Sequence, residues 1–528
     1  MIDTLIRRIA AGDEEYLRDE SKKTGTAESI SFPKNHEQLC AVMKTLYETG
    51  TAVTVQGSRT GLAAAAVPSE GHILNLSAMD KVLGMRREDD RFFLTVQPGV
   101  ILQKMNKAIA ARSFDTSAWS DESKEVYEAF SKAPVQMFTP DPTENTASIG
   151  GMAACNASGA CSYRYGATRA HINAIRCVLA NGQTVSLKRG EVFADGRKLC
   201  LKTEEGDCVD AVLPGYQMPN CKNASGYYCR ENMDAIDLLI GSDGTLAVIT
   251  ELELCLLPKP KLVWGTTCFF ATQEGAVAYT KALKEKEDGV AAIEYFDACA
   301  LDILRRQKAE SQAFAQLPKI EDHYGCAVYT ELHRDTEDEA YADLEYLSKC
   351  CTEAGGDPCH TWVACNESDL NLLHFFRHAV PESVNMLVER YKRTYPEITK
   401  IGSDMAVPDE RFEDLLAVYD SSLEKEGLSH AAWGHIGDNH IHVNILPSDM
   451  DEYHRGKALL SRWAEAVSQM GGAVSAEHGV GKLKAPFLEL MYGKEYIDEM
   501  ATLKEAFDPK WILGRGNLFA PRQKEEKK

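Results

Sequence analysis

A proline-rich segment, Leu256 to Lys261 (LLPKPK), divides the chain into two halves with different sequence patterns. Before it, from about residue 30 to 255, short β-rich runs such as TAVTVQG, FFLTVQPGV and AVITELELCLL alternate with turns and a few helical stretches. After it, longer amphipathic helical patterns begin, such as EGAVAYTKALKEKE. A chain of 528 residues is also too long for one ordinary core. We therefore expect an α+β protein with two domains, residues 1–258 and 259–528.

The composition excludes some classes of partner. The formal net charge of −21 would repel a polyphosphate backbone, so we expect no nucleic acid partner. No window reaches the apolar length of a membrane span, although peripheral contact with a membrane stays open. The first residues lack the apolar core of a secretory signal, and the 16 cysteines are scattered without the spacing of a metal cluster. These features favour reduced thiols and a cytoplasmic location.

Two stretches interrupt the pattern of the first half. Residues 113–133 are polar and helical in character, and residues 196–232 are rich in Gly, Asn, Cys and Tyr. We interpret both as surface insertions, which would serve either as decoration or as a lid.

A glycine-containing turn follows the predicted strand TAVTVQG, with the sequence Gly57-Ser58-Arg59-Thr60-Gly61-Leu62. Such a turn can aim successive backbone N–H groups at one point, which suits a pyrophosphate. Turns of this kind are also common without any ligand, so a purely structural role stays open. No GxGxxG follows a strand, which disfavours a Rossmann dinucleotide fold.

Small residues recur in two later segments of the first half. The first runs from Pro140-Asp141 through TASIGG (residues 146–151) to Asn156-Ala157-Ser158-Gly159 and Arg164-Tyr165-Gly166, and the second is LIGSDGTLAVITE (residues 239–251). No packing pattern of a helix or strand explains the first run. It indicates backbone that lies close to a large flat ligand.

The second half contains a histidine cluster, GHIGDNHIHVN (residues 434–444). If IHVNIL is a strand, His440, His442 and Asn444 share a face, because side chains alternate with period two. His435 can reach the same point from the loop, and SAEHGVGK supplies a carboxylate at Glu477. Two imidazoles and one carboxylate are a usual open set for Zn²⁺ or another divalent metal, although hydrogen-bonded or exposed histidines are an equal alternative.

The three glycine-rich pieces, in this order, resemble the FAD-binding domain of the vanillyl-alcohol oxidase and p-cresol methylhydroxylase superfamily over about residues 30–255. The resemblance implies an α+β flavoprotein domain, and the loop has no His or Cys for a covalent link, so we expect noncovalent FAD. The residues that it would place at the cofactor are Gln56, Gly57, Ser58, Arg59, Thr60, Gly61, Leu62, Pro140, Asp141, Thr146, Ser148, Ile149, Gly150, Gly151, Ala154, Asn156, Ala157, Gly159, Ala247, Ile249 and Asn517.

The motifs GHIGDNHIHVN, SAEHGVGK and AFDPKWILGRGNLF resemble the C-terminal substrate domain of the FAD-linked D-2-hydroxyacid dehydrogenases, a group that includes D-lactate, glycolate and D-2-hydroxyglutarate dehydrogenases. This resemblance implies an antiparallel sheet, a last stretch of about 25 residues that returns to the flavin domain, and oxidation of a 2-hydroxyacid. The electron acceptor would be a quinone, a cytochrome, an electron-transfer flavoprotein or O₂. The implied roles are metal ligands for His435, His442 and Glu477, catalytic base for His478, substrate contact for Asn444, and carboxylate clamp for Arg377.

The chain departs from this family at three places, one of which is the terminal GRGNLF, where NPGK is commoner. Asn439-His440 stands where Gly-Asn is usual, which adds a histidine that could compete for the metal. Gly402 stands where some members carry a lysine, and Lys400 lies two residues earlier, which puts recognition of a second carboxylate in doubt. Two other functions stay open: a non-redox flavin adduct reaction like that of alkylglycerone-phosphate synthase, and a non-catalytic electron-transfer flavoprotein.

Overall fold

The computed structural model describes residues 5–286 and 288–521. In the first half, short strands alternate with helices of 4 to 14 residues. The strands are β1 Arg7–Arg8, β2 Ser29–Ser31, β3 Val53–Gln56, β4 His72–Asn75, β5 Val82–Glu88, β6 Arg91–Val96, β7 Gln136–Met137, β8 Ile172–Val178, β9 Thr184–Lys188, β10 Lys198–Lys202, β11 Cys208–Val212 and β12 Val248–Pro258. The helices are α1 His36–Thr49, α2 Leu102–Ala111, α3 Asp121–Lys132, α4 Ile149–Cys155, α5 Ser162–Tyr165 and α6 Ile236–Leu239.

The second half has longer helices. Its strands are β13 Leu262–Phe270, β14 Val290–Phe296, β15 Cys326–Arg334, β16 Trp362–Ala364, β17 Ile401–Gly402, β18 His430–Gly434 and β19 His442–Ile445. Its helices are α7 Gln273–Lys284, α8 Ala298–Glu310, α9 Glu337–Glu353, α10 Glu367–Lys392, α11 Phe412–Glu426, α12 Met450–Gln469 and α13 Ala485–Phe507.

Two main sheets form the first half. One has four strands in the order β1-β2-β4-β3, in which β2, β4 and β3 run parallel. The other has six strands, in which the long strand β12 pairs with β6 on one side and β8 on the other, both antiparallel. Alternation along β12 buries Leu252, Leu254 and Leu256 completely, which is the period-two pattern that AVITELELCLL predicts. The α+β prediction is confirmed.

One antiparallel sheet of seven strands forms the centre of the second half, in the order β16-β13-β15-β14-β18-β19-β17. Helices cover both faces. Apolar residues of α7, α9, α11 and α12 pack with one face, and those of α8 and α10 pack with the other. The sheet brings β14, β18 and β19 side by side, so that residues distant in sequence meet at one edge of these strands. The predicted antiparallel sheet is confirmed.

The interpretation of residues 113–133 and 196–232 as surface insertions is wrong for much of both. Trp119 and Phe130 are 4% and 1% exposed and belong to the core of the first half. In the second stretch, β10 and β11 form a hairpin, but Tyr227 is fully buried beyond it. Ser225 Oγ also donates to Ser475 O at 2.9 Å, which ties this stretch to the second half. The aromatic residues in both stretches supply apolar surface that the core buries.

The described C-terminal residues return to the first half. Val53 N donates to Ile512 O at 2.7 Å, and Gly514 N donates to Val53 O at 2.9 Å, so this segment lies beside β3. Ile512, Leu513 and Leu518 are fully buried there. Within residues 5–286 and 288–521, no helix is both long and apolar enough to cross a membrane.

Candidate active site

The loop after β3 faces the start of α4. A Cβ atom on Gly57 would lie only 2.1 Å from Ser148 Oγ, so the close approach of the two segments requires glycine there. Ser148 caps the N-terminus of α4, and its Oγ accepts from Gly151 N at 3.3 Å. Asp243 N of the third segment donates to Ala154 O at 2.8 Å, so the structure brings together all three segments that the sequence assigns to the cofactor.

The longer side chains of this loop are held by protein groups. Gln56 Nε2 donates to Tyr16 O and Ala66 O at 2.7 and 2.8 Å. Arg59 Nη2 lies 2.8 Å from Glu15 Oε2, and its guanidinium lies over the Tyr16 ring. Because Arg59 is engaged by Glu15, backbone N–H groups are the better candidates for phosphate contacts in this loop.

Two other predicted cofactor residues have side-chain oxygens that accept hydrogen bonds from backbone N–H groups of the protein. Asn156 ends α4 with a φ of 52°, and its Oδ1 accepts from Arg169 N at 2.9 Å. Asp141 accepts from Cys161 N at 3.2 Å, and burial raises its pKa to about 6. Six of the predicted residues are buried, namely Pro140, Ile149, Ala157, Gly159, Ala247 and Ile249, whereas Ser58, Thr60, Gly61, Leu62, Thr146, Gly150, Gly151 and Ala154 stay accessible.

Asn517 joins the C-terminal segment to this region. Its Nδ2 donates to Asp243 O at 3.0 Å and to Ala65 O at 3.2 Å, and its Oδ1 accepts from Lys482 Nζ at 2.9 Å. Lys482 lies near the loop, and burial lowers its pKa to about 8. The small, accessible residues and the two facing segments form a cradle that fits FAD, with Lys482 as an additional cation that the sequence prediction missed.

The predicted metal ligands converge in the second half. His435 follows β18, His442 begins β19, and Glu477 lies in the loop before α13. His435 Nε2 lies 3.2 Å from Glu477 Oε2, and His442 Nε2 lies 3.1 Å from Glu477 Oε1. Glu477 is 8% exposed. With His440, these residues offer four ligand atoms that all lie within 4.8 Å of one another.

Hydrogen bonds fix the orientation of the two predicted imidazole ligands. His435 Nδ1 donates to Glu294 Oε1 at 2.6 Å, and His442 Nδ1 donates to Ser403 O at 3.0 Å. Each ring therefore turns its Nε2 toward Glu477, which is the arrangement that metal-binding histidines usually adopt. Burial opposes the charged form of His435, but the attraction of Glu294 outweighs it and raises the pKa to about 9. The site thus draws positive charge to this point, and its donor set fits a divalent metal.

Lys222 places a fixed cation beside this donor set. Its Nζ lies 2.9 Å from Glu477 Oε2 and 3.8 Å from Asp438 Oδ2, and its side chain is 8% exposed. Burial favours the neutral form of Glu477, but Lys222 and His435 outweigh it and hold the pKa of Glu477 well below its usual value. The sequence prediction missed Lys222 because it lies in the stretch that was interpreted as an insertion.

His478 lies at the accessible side of the cluster, with 30% of its side chain exposed. Its Nδ1 lies 3.2 Å from Asp404 Oδ2, and its ring stacks on that of His442 at 5.5 Å between centroids. Asp404 is buried and also bonds Lys484 and Ser475. An aspartate on Nδ1 leaves Nε2 as the nitrogen that can take a proton. Asp404 was missed as an orienting group, although it opens the DMAVP motif.

Arg377 projects from α10 toward the same region. Its Nε lies 3.5 Å from Glu294 Oε2, so Glu294 links it to His435. Burial opposes the charge, but Glu294 and Asp141 outweigh it and raise the pKa of Arg377 above its already high value. A guanidinium held this way remains charged at any working pH and suits a carboxylate ligand.

Asn444 occupies the space that a side chain at position 402 would need. Asn444 Oδ1 is buried without a hydrogen-bond partner among the described residues, and a Cβ on Gly402 would lie 2.8 Å from it. A lysine at position 402 would therefore displace Asn444. Lys400 is exposed, and its Nζ lies 5.4 Å from the centre of the Trp433 ring.

Two family models match the chain. The FAD binding domain model covers residues 27–118 and 125–188, and the model of the FAD linked oxidases, C-terminal domain, covers residues 259–518. The chain belongs to the FAD-linked oxidases, which agrees with the cradle in the first half and the histidine cluster in the second. It is an FAD-linked oxidoreductase, as its motifs predicted.

Similar curated proteins extend along nearly the whole chain. A glycolate oxidase subunit GlcD of Bacillus subtilis is 26% identical over 93% of this chain and 89% of its own length. A D-lactate dehydrogenase of Anaerostipes hadrus is 26% identical over 97% and 94%. A D-2-hydroxyglutarate dehydrogenase of Stutzerimonas stutzeri is 26% identical over 96% and 94%. The resemblance to the D-2-hydroxyacid dehydrogenase group is confirmed.

Solved structures share the fold at low sequence identity. A 4-ethylphenol oxidase from Gulosibacter chungangensis superposes with a TM-score of 0.65 at 14% identity, over 98% of this chain and 95% of that one. An alkyldihydroxyacetonephosphate synthase gives 0.63 at 14% identity, over 99% and 83%. The predicted two-domain flavoprotein fold of the p-cresol methylhydroxylase type is confirmed.

Proposed function

We propose that the chain oxidises a D-2-hydroxyacid of the D-lactate, glycolate or D-2-hydroxyglutarate class to the 2-oxoacid. The observation that carries the proposal is the convergence of His478, Arg377 and the cluster of His435, His442 and Glu477 on one region of the second half. The names of the similar proteins support the substrate class.

In this proposal Arg377 binds the substrate carboxylate. Its planar guanidinium can make two parallel hydrogen bonds, which fixes the rotation of the substrate as well as its position. One carboxylate oxygen of Glu294 faces the guanidinium of Arg377, and the other contacts Nδ1 of His435. Asn444, two residues after His442 on β19, is the proposed substrate contact.

His478 takes the hydroxyl proton through Nε2, and Asp404 stabilises the imidazolium that results. The substrate also loses its Cα hydrogen with an electron pair, which leaves the 2-oxoacid. FAD, when bound, accepts this hydride at N5. A divalent metal, when bound by His435, His442 and Glu477, supplies positive charge beside the oxygen that loses the proton.

An anaerobic titration tests the reaction class. The purified flavoprotein would be mixed with D- and L-lactate, glycolate, D-2-hydroxyglutarate and larger D-2-hydroxyacids, before and after chelation, while flavin absorbance is recorded. We expect one D-acid to bleach the flavin, its L-isomer to fail, and chelation to slow the bleaching. A flavin that stays oxidised with every acid, despite a fully loaded metal site, would reject the proposal in favour of adduct chemistry or a non-catalytic flavoprotein.

Replacing the proposed base gives a second test. His478→Ala should slow flavin reduction by about 10²–10⁴-fold, because the hydroxyl proton loses its acceptor. FAD content and metal content should not change, since His478 is not among the groups proposed to bind either. Unchanged reduction by the variant would remove His478 from this role.

A further inference from the structure

His440 is the histidine of the cluster to which the proposed function gives no task. It lies between His435 and His442 in the loop before β19 and is fully buried. Neither ring nitrogen makes a hydrogen bond to the described residues, although Nε2 lies 3.0 Å from Asp404 Oδ1. A buried ring nitrogen without a partner costs free energy, so a native structure rarely keeps one without a ligand or a water. The ring therefore requires an explanation of its own.

The orientation of His440 repeats that of its two neighbours. In each of the three imidazoles, one nitrogen faces a protein acceptor at 2.6 to 3.0 Å, and the other faces the Glu477 carboxylate. The acceptors are Glu294 for His435, Ser403 O for His442 and Asp404 Oδ1 for His440. The nitrogens that face Glu477 lie 3.2, 3.1 and 4.0 Å from its nearer oxygen, in the same order.

An acceptor on one nitrogen holds the proton there and leaves the lone pair of the other nitrogen free for a metal. For His440 the Asp404 carboxylate lies nearest Nε2, and a proton on Nε2 leaves the lone pair on Nδ1. Nδ1 is also the nitrogen that lies 4.0 Å from Glu477 Oε2, and His440 belongs to the group of four residues whose ligand atoms lie within 4.8 Å of one another. The orientation of the ring toward Glu477 and the lack of a hydrogen bond at Nδ1 therefore both fit a metal ligand.

We propose that His440 is a fourth protein ligand, so that the site is a set of three imidazoles and one carboxylate that selects a six-coordinate metal such as Mn²⁺, Fe²⁺ or Co²⁺. This inference rests on the proposed function and deepens it. Four protein ligands would fill a four-coordinate Zn²⁺ and leave no position for substrate. A six-coordinate ion keeps two positions, the number that the hydroxyl and carboxylate oxygens of a 2-hydroxyacid occupy.

Pulsed EPR on Mn²⁺ tests the ligand count without any turnover. The oxidised flavoprotein would be stripped with a chelator and reloaded with Mn²⁺ alone, and the imidazole nitrogens coupled to the ion would be counted. We expect three in the wild-type protein. Two coupled imidazoles in the wild-type protein would overturn the inference, even if no variant could be purified.

The variant His440→Asn removes the proposed ligand and restores the residue type usual in the family. We expect two coupled imidazoles and a dissociation constant for Mn²⁺ that rises by at least about tenfold, measured by calorimetry. His374→Asn is the matched control, because His374 lies in the same half and bonds Glu331 instead of the cluster. Its ligand count and Mn²⁺ affinity should equal those of the wild type.

The outcomes separate the inference from the proposed function. If the wild-type protein binds Mn²⁺ through two imidazoles, or if His440→Asn binds it as the wild type does, the inference is wrong and the proposed function stands, since that needs only His435, His442 and Glu477. If the wild-type protein binds no divalent ion, the inference and the metal part of the proposed function both fail. Flavin reduction without metal would then show whether the oxidation itself survives.

Discussion

At the residue scale, Asp404 is the group on which the orientation of His478 depends. Asp404→Asn keeps the size of the side chain but puts an amide where Nδ1 of His478 needs an acceptor. We expect flavin reduction to slow by on the order of 10²–10³-fold with little change in KM, because the base would be held in the wrong tautomer. Rapid-mixing measurements of flavin reduction check this.

Asp404 also bonds Lys484 and faces Nε2 of His440, so the variant requires checks of folding and of metal content. The FAD content and thermal unfolding midpoint should stay close to those of the wild type. Asp409→Asn is a suitable control, because Asp409 is 75% exposed and pairs with Lys284 away from His478. Equal losses of rate in the two variants would contradict an orienting role for Asp404.

Lys222 gives a second prediction at this scale. Its ammonium and a divalent metal would both approach Glu477, and like charges at this separation repel in a buried site. Lys222→Met should therefore strengthen metal binding by about tenfold, measured by calorimetry on chelator-treated protein. Lys281→Met, which removes an exposed lysine that pairs with Glu413, should have no effect. Weaker binding by Lys222→Met would mean that the lysine chiefly holds Glu477 in place.

The sequence could predict His435, His442, Glu477 and His478 because they lie in two short motifs. It could not predict Glu294, since one acidic residue in the strand AAIEYF has no local signature. Glu294 becomes significant only when β14 pairs beside β18 and places it against His435. Side chains that support a site from other elements cannot be predicted from local sequence, because their position depends on the order of strands in the sheet.

At the scale of elements, a buried histidine joins two parallel strands. His72 on β4 has Ser29 Oγ at Nδ1 and Ser31 Oγ at Nε2, both at 2.8 Å and both from β2. Burial lowers the pKa of His72 to about 4 from its model-peptide value of 6.5. The folded protein therefore holds this ring neutral while the unfolded chain can protonate it.

The sign of the pH effect follows from this difference. The contribution of neutral His72 to the free energy of unfolding is fully present above pH 6.5. It is lost as the pH falls toward 4, by up to about 3 kcal/mol. Denaturant unfolding of wild type and His72→Asn between pH 7.5 and 5 checks this. We expect the wild type to lose stability more steeply than the variant. An identical pH dependence in both would show that another group is responsible. His360→Asn, at an exposed histidine, should behave as the wild type does.

Element patterns were the most predictable feature of the fold. Alternating apolar residues predicted β12, and the helical period of EGAVAYTKALKEKE predicted α7, because each pattern buries one face of its element. The same reasoning did not predict the buried residues of the stretch 196–232. Its buried residues Tyr216, Ala224 and Tyr227 follow no period, since they are buried by contact with a distant part of the chain.

At the scale of the whole molecule, the C-terminal segment completes the first half. Residues 512–519 place Ile512, Leu513 and Leu518 in the core and Asn517 against the loop Ala63–Ala65. A chain that ends at Trp511 should lose most of its bound FAD and unfold at a lower temperature, because β3 loses the segment on the edge away from β4 and Lys482 loses Asn517. Flavin absorbance per chain measures the loss. A chain that ends at Pro521 keeps every one of these contacts and serves as the control.

The two halves interlock around the loop that follows His478. Asp243 of the first half accepts from Val480 N and Gly481 N at 2.9 and 2.8 Å, and Lys482 N donates to Ala63 O at 2.9 Å. A Cβ on Gly481 would lie 2.2 Å from Ala63 O, so no larger residue fits. Gene recombination between relatives should therefore succeed only when both halves come from one parent or when these contact positions are exchanged together. In recombination, the two halves therefore behave as one unit.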